Sequence, residues 1–337
     1  MHSGVHHTLD FDRDGKHFDW LSIPVSVDRS PYFQVKVPVC VIRNGVGPRV
    51  LLMAGNHGDE YEGELCLARL ARRIDPSRLN GTLTLLPMAN APAVRAAKRC
   101  SPIDGGNLNR AFPGDPTGTA TSRIAHALEH DLFPRHDVVF DLHSGGTSMA
   151  HLPCGLIESQ DDAATQSRAL ELMRSLGLPF GFVAENGRQA PTSMGAARRA
   201  GVIGLSGEFG GGGTASPRTM RATAQAIDGL LLKLAMIDVP VLGRIPTVPT
   251  GPMQILSLAR HSQAIYAMRH GWFEPAVDLG ATVAAGDLAG WYHDLERLEM
   301  PEEPLLFAEG GIVISHRLHT MSEAGDCLIQ VAEPIAQ

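Results

Sequence analysis

The sequence predicts an α/β protein: a mixed or largely parallel sheet flanked by helices, followed by a smaller all-β unit. Three observations carry that expectation. Apolar runs at Val50–Met53, Val138–Leu142 and Val202–Leu205, with Thr82–Leu86, have the length and bounds of strands buried in a sheet. Segments with helical spacing alternate with them, as in layered α/β architectures. After Pro240, through Pro246, Pro249 and Pro252, helical spacing stops and short strands with glycine turns take over.

Residues 1 to 47 read as short strands and turns, ending with Val35–Ile42 and the turn Asn44-Gly45, and Pro38 marks that last run as an edge strand. After Val50–Met53 a helix starts at once. Asp59 is placed to cap it, with Glu62 completing a capping box. Cys66, Leu70 and Ile74 form its buried stripe, and Pro76 stops it. Asn90 to Gly118 is rich in Pro, Gly and Asn, and a loop of that length inside a domain is usually functional. Ile124, Leu128 and Leu132 mark a further helix, and Ser216-Pro217 opens one that reaches about Met236. The organisation expected is residues 1–45 as N-terminal strands packed on a catalytic unit of residues 46–240, then a β unit over residues 247–337. Within the last, Ala284-Ala285-Gly286-Asp287 and Glu323-Ala324-Gly325-Asp326 echo one another and resemble the hairpin turns of biotinyl/lipoyl-type barrels. Those domains attach their cofactor to a lysine, and the last lysine here is Lys233, so a carrier role is excluded.

The chain has 337 residues, 44% hydrophobic and 19% charged, with a net charge of −7. That is an ordinary soluble composition with no electrostatic footprint for nucleic acid or an anionic membrane. No apolar run reaches the roughly 18 residues of a spanning helix, and Met1–His7 does not read as a signal peptide. The five scattered cysteines, without a CxxC, suit reduced thiols in the cytoplasm. A homo-oligomer formed through the β unit stays open.

The chemistry concentrates in four places. His57 and Glu60 stand three apart at a strand-to-helix junction, the edge of an α/β sheet where ligands collect. Alone, such a pair is more simply a surface histidine and a helix-start acid stabilised by the helix dipole. His143 ends an apolar strand and meets Ser144-Gly145-Gly146, which suits a cleft as well as a satisfied core position. Two imidazoles and a carboxylate are the ligand set of a catalytic zinc, whose fourth position stays open to water. Arg99 and Arg110, with Asn107 and Asn109 on the same loop, suit a clamp for a carboxylate or carbonyl, or else an exposed basic loop. Glu208, between an apolar strand and Gly210–Gly213, is placed to serve as a general base, or is a strand-end acid in a flexible loop. His126, His130 and His136 read as solvated surface, and His151 as a neighbour of the site.

His57-x-x-Glu60, Asn107-Leu108-Asn109-Arg110-x-Phe112-Pro113-Gly114, Asp141-Leu142-His143 and Gly207-Glu208 together resemble the succinylglutamate desuccinylase/aspartoacylase family of the zinc carboxypeptidase-like fold group. The wording of Gly55–Gly63, Ser101–Asp104 and Gly207–Gly213 is most similar to its branch of N-α-acetyl-L-2,4-diaminobutyrate deacetylases of ectoine breakdown. The resemblance implies one zinc per chain on His57, Glu60 and His143, and Glu208 as general base. It makes Arg99, Asn109 and Arg110 the groups that hold the substrate carboxylate and polarise the scissile carbonyl, without dividing those jobs between the arginines. Asn107 stands where many relatives have Asp. The implied activity is removal of an acyl group, first of all acetyl, from an N-α-acyl amino acid, with a small molecule as substrate. The alternatives are another deacylase of the aspartoacylase or desuccinylase type, a zinc carboxypeptidase, and a non-catalytic metal-binding relative. No tyrosine lies between His143 and Glu208, which counts against the peptidase and leaves Tyr266 or Tyr292 as candidate lids. A diaminobutyrate side chain needs an acidic partner, for which Asp104, Glu62 and Glu185 are the candidates.

Overall fold

The computed structural model describes residues 4–243 and 252–335; Pro246 and Pro249, and the expected start of the β unit at 247, lie outside them. In chain order the main elements are β1 Gly15–Val27, β2 Ser30–Asn44, β3 Arg49–Ala54, α1 Tyr61–Arg73, β4 Gly81–Leu86, α2 Ala91–Ala96, α3 Ala120–Ala127, β5 Val138–His143, β6 Met149–His151 and β7 Cys154–Glu158. They continue with α4 Ala163–Ser175, β8 Phe180–Ala184, α5 Ser193–Arg199, β9 Ile203–Glu208 and α6 Pro217–Lys233. The remaining strands are β10 Gln254–Ser257, β11 Ala264–Tyr266, β12 Gly271–Pro275, β13 Thr282–Val283, β14 Leu288–His293, β15 Glu303–Leu306, β16 Gly311–Arg317, β17 Met321–Ser322 and β18 Cys327–Pro334.

Side chains alternate across a strand, and that period of two explains the layers. Val50, Leu52 and Ala54 of β3, with Val138, Phe140 and Leu142 of β5, join one core with residues of α1, α4 and α6. Leu51, Met53 and Val139 face the opposite core, shared with β1, β2, α3 and α5. On that second face β5 changes character towards its carboxyl end, where Asp141 and His143 follow Val139 in the same row. The apolar layer ends there and the site begins.

The sheet runs β1-β2-β4-β3-β5-β9-β7-β8-β10-β18-β16-β13, so it is mixed and continues from the central strands into the C-terminal ones. β3, β4, β5 and β9 are parallel, β7 crosses back antiparallel to β9, and β10 pairs parallel to β8. A second sheet, β15-β14-β12-β17, belongs to the C-terminal strands alone. The two echoed turns share one geometry. The Ala284 amide donates to Asp287 Oδ2 at 2.7 Å and the Glu323 amide to Asp326 Oδ2 at 2.9 Å, but the first turn leads into β14 of the small sheet and the second into β18 of the large one.

Two expectations change. β1 and β2 form a hairpin of 13 and 15 residues rather than short strands, and β2 is not an edge, because its residues 40–44 pair with β4. Pro38 lies outside that pairing and meets only β1, so its missing amide leaves no gap in the ladder. His136 is buried, not solvated. Its Nδ1 meets the Leu132 carbonyl and its Nε2 meets Thr84 Oγ1, each at 2.8 Å.

Burial pushes the His136 imidazole down to about 4, from an ordinary value of 6.5. The unfolded chain therefore binds this proton more readily, so the group's contribution is complete above about pH 6.5 and is lost as pH falls towards 4. At 1.36 kcal/mol per unit the loss is about 3 kcal/mol. Denaturant unfolding between pH 7 and 4 should show His136→Gln with a shallower fall in stability than wild type. Parallel slopes would remove His136 from the account. No helix among the described residues is long and apolar enough to cross a membrane.

Candidate active site

The chain leaves β3 through Gly55–Glu60 and enters α1 directly. A Cβ on Gly58 would come within 2.0 Å of the Ala93 backbone, so only glycine lets this loop lie against α2. The expected cap is not formed. α1 begins at Tyr61, Glu60 occupies the cap position without a side-chain cap bond, and Asp59 instead accepts the Thr147 amide at 2.8 Å. Glu62 is buried beside Gly210 rather than closing a capping box. Freed from capping, the Glu60 carboxylate turns towards the two histidines.

His57 Nδ1 lies 2.7 Å from Glu60 Oε1, and His143 Nδ1 lies 2.9 Å from Glu60 Oε2. All three residues are buried, and a donor atom from each lies within 4.8 Å of the others. The outer nitrogens are held as well. His57 Nε2 meets Asn107 Oδ1 at 3.2 Å, and His143 Nε2 meets Asp141 Oδ2 at 2.8 Å. Asp141 Oδ2 also accepts from Asn56 Nδ2 and from the hydroxyl of Ser193, at the start of α5. With a metal bound, an acceptor on each outer nitrogen would keep the proton there and leave the Nδ1 lone pair free for the ion, as the hydrogen-bond partners of metal-ligating histidines do.

The charges of these side chains are tied to one another. Burial opposes charge on Glu60, yet His143 and His57 hold its carboxyl far below the usual range. Burial likewise opposes charge on His143, but Asp141 and Glu60 outweigh it and push the imidazole well above its ordinary value. Two buried histidines and a carboxylate with converging donor atoms fit a zinc ion.

These residues open onto a cavity of about 610 Å³. Glu208 ends β9 as the register partner of His143, and its Oε2 is shielded with no hydrogen-bond partner among the described residues. Burial pushes its carboxyl up to about 8; His143 and Arg99 work against that shift, while Glu60 and Asp141 add to it. Arg99, Asn109 and Arg110 line the same cavity, both arginines exposed at its mouth. Arg99 Nη1 is 3.7 Å from Glu60 Oε1, and Asn109 Oδ1 accepts the Ser193 amide at 2.8 Å. The three ligand candidates, the base candidate and the clamp candidates thus stand around one space. His151 lines it too, and burial pushes its imidazole down to about 4.

The C-terminal strands supply part of the wall. β6 pairs with β16, and Tyr266, Cys327 and Gln330 reach the cavity. Tyr292 does not: its hydroxyl donates to the Arg269 carbonyl at 2.7 Å inside the β unit. Asp104, Glu62 and Glu185 also fall outside the lining. Asp104 is occupied with the Thr121 and Gly106 amides, and Glu185 is exposed elsewhere. Besides Glu60 and Glu208, the acid that lines the cavity is Glu158, with Asn186 beside it. Its signal in the sequence is the one that marked Glu208, an acid closing an apolar strand.

A family model for the succinylglutamate desuccinylase/aspartoacylase catalytic domain matches residues 46–234. Over 333 residues the chain is 35% identical to N-alpha-acetyl-L-2,4-diaminobutyric acid deacetylase of Halomonas elongata, covering 99% of this chain and 96% of that protein. The product-bound structure of the ectoine utilization protein EutE (DoeB) from Ruegeria pomeroyi is similar at a TM-score of 0.91 and 33% identity, over 99% of this chain and 100% of that one. A succinylglutamate desuccinylase/aspartoacylase structure from Rhodobacter sphaeroides is similar at a TM-score of 0.92 and 31% identity, over 98% and 100% of the two chains.

Proposed function

The chain belongs to the succinylglutamate desuccinylase/aspartoacylase family, and from that premise we propose that it is a zinc-dependent amidohydrolase that deacetylates N-α-acetyl-L-2,4-diaminobutyrate in ectoine degradation. The observation that carries the chemistry is the buried convergence of His57, Glu60 and His143 on a cavity that also holds Glu208. The likeness to the Halomonas elongata deacetylase along nearly the whole chain supports the substrate.

His57 and His143 would hold the zinc through Nδ1, and Glu60 through its carboxylate. Zinc bound there supplies Lewis-acid polarisation of the acyl oxygen and of water. Glu208 takes a proton from the attacking water as its oxygen adds to the acyl carbon. The same carboxyl then gives that proton to the amine nitrogen as the C–N bond breaks, releasing acetate and the free amino acid. A carboxyl pushed towards neutrality by burial suits both transfers. Arg99, Arg110 and Asn109 receive the substrate carboxylate and the charge that grows on the acyl oxygen. Asp141, Asn107 and Ser193 keep the ligand rings in place.

Residues 46–240 form the catalytic unit, of the zinc carboxypeptidase-like type, with residues 1–45 packed on it. Within the expected β unit of residues 247–337, the described residues 252–335 form a barrel-like unit that roofs the site, a role supported by the β6–β16 pairing and by Tyr266. Five unpaired cysteines suit a cytoplasmic enzyme. The test is elemental analysis of the purified protein, then amine release from N-α-acetyl-2,4-diaminobutyrate, N-acetylaspartate and N-succinylglutamate. About one zinc per chain and preference for the first compound are expected. Faster turnover of the acidic substrates would replace the diaminobutyrate reading with an aspartoacylase or desuccinylase one.

A further inference from the structure

We propose that Glu158 selects the amino acid, its carboxylate receiving the side-chain ammonium of the substrate. The inference rests on the deacetylase reading above. β7 runs antiparallel to β9, with Cys154 opposite Glu208 and Leu156 opposite Ser206. Residues directly opposite point to one face, so Glu208, Ser206, Leu156 and Glu158 share the floor of the cavity. Four residues along the strand and one strand across separate the backbones of Glu208 and Glu158 by about 14 Å. That separation leaves room for a short amino acid over the floor between the two residues.

Glu158 is 2% exposed, yet no ion pair among the described residues includes it. Its hydrogen-bond donors come from Asn186, the amide nitrogen at 3.2 Å and Nδ2 at 2.8 Å. A buried carboxylate with neutral partners alone is costly, and a ligand cation offsets that cost. Leu156, between the two acids, presents an apolar surface for the methylenes of the side chain. The lining therefore carries both signs of charge. Arg99 and Arg110 are its exposed cations, for an α-carboxylate, and buried Glu158 is an anion for a cation. The same carboxylate repels the acidic side chains of acetylaspartate and succinylglutamate, so it discriminates by repulsion as well as attraction.

The test compares N-α-acetyl-2,4-diaminobutyrate with N-α-acetyl-2-aminobutyrate, which lacks only the ammonium, in wild type and Glu158→Gln. Wild type should favour the charged compound about 100-fold in kcat/KM, as expected for a desolvated charge pair. Glu158→Gln should erase that preference through KM, leaving the neutral compound within about threefold of wild type. Equal losses on both compounds would make Glu158 a support for Asn186 and overturn the assignment, as would an unaltered preference. Should the variant not fold, the wild-type ratio decides: equal turnover of the two compounds overturns the assignment, and preference for the charged one supports it. A wild type that favours acetylaspartate would overturn the diaminobutyrate reading itself, a result distinct from an intact reading with an indifferent Glu158.

Discussion

Glu208→Gln is expected to lower kcat about 10³-fold while leaving zinc content and KM close to wild type. Glutamine keeps the size of the side chain and loses only the ability to carry a proton. The Glu208 Oε2 has no hydrogen-bond partner among the described residues, so no structural bond to that oxygen is broken. The substitution also removes an acid, half-buried with one oxygen shielded, whose carboxyl is pushed up to about 8, so folding stability should hold or rise. Steady-state kinetics alongside elemental analysis separate the outcomes. A variant that retains zinc and turns over at the wild-type rate would show that the proton travels by another group.

The second large effect concerns His143. His143→Ala should bring bound zinc from about one per chain to near zero after dialysis, with activity falling below detection. It should also destabilise the protein by about 3–5 kcal/mol, because two buried carboxylates are left without the partner that both of them bind. Asp141 keeps its bonds from Asn56 and Ser193, but Asp141 and Glu60 both lose the imidazole that stands between them. Thermal melts with and without added zinc, with elemental analysis, read both effects. Zinc retained at the wild-type level would remove His143 from the ligand set.

What could be read from the sequence follows from which interactions are local. β3 and β5 were legible because strands buried on both faces must be apolar throughout, and their ends were legible because the first polar residues past such a run reach the sheet edge. His57, Glu60, His143 and Glu208 all sit at such points. The cap at Asp59 was misread because a competing interaction won: Asp59 reaches the Thr147 amide, and Glu60 serves the histidines rather than the helix. His136 could not be read as buried, since its partner Thr84 lies 52 residues away on another strand. Glu158 carries the strand-end signal, but its nearness to Glu208 is not local. Its place on the floor with Glu208 depends on β7 running back against β9, a crossing that no periodicity announces.

The placement of the roof has a consequence for how the molecule comes into being. Synthesis proceeds from the amino end, and His57, Glu60 and His143 are all made before any strand of the β unit. A growing chain thus acquires its set of donor atoms while Tyr266, Cys327 and Gln330 do not yet exist. β18, which pairs with β10, β11 and β16, holds that part of the wall together and comes late in the chain. In order of synthesis, the candidate ligands therefore come first, and the residues that complete the cavity wall come last.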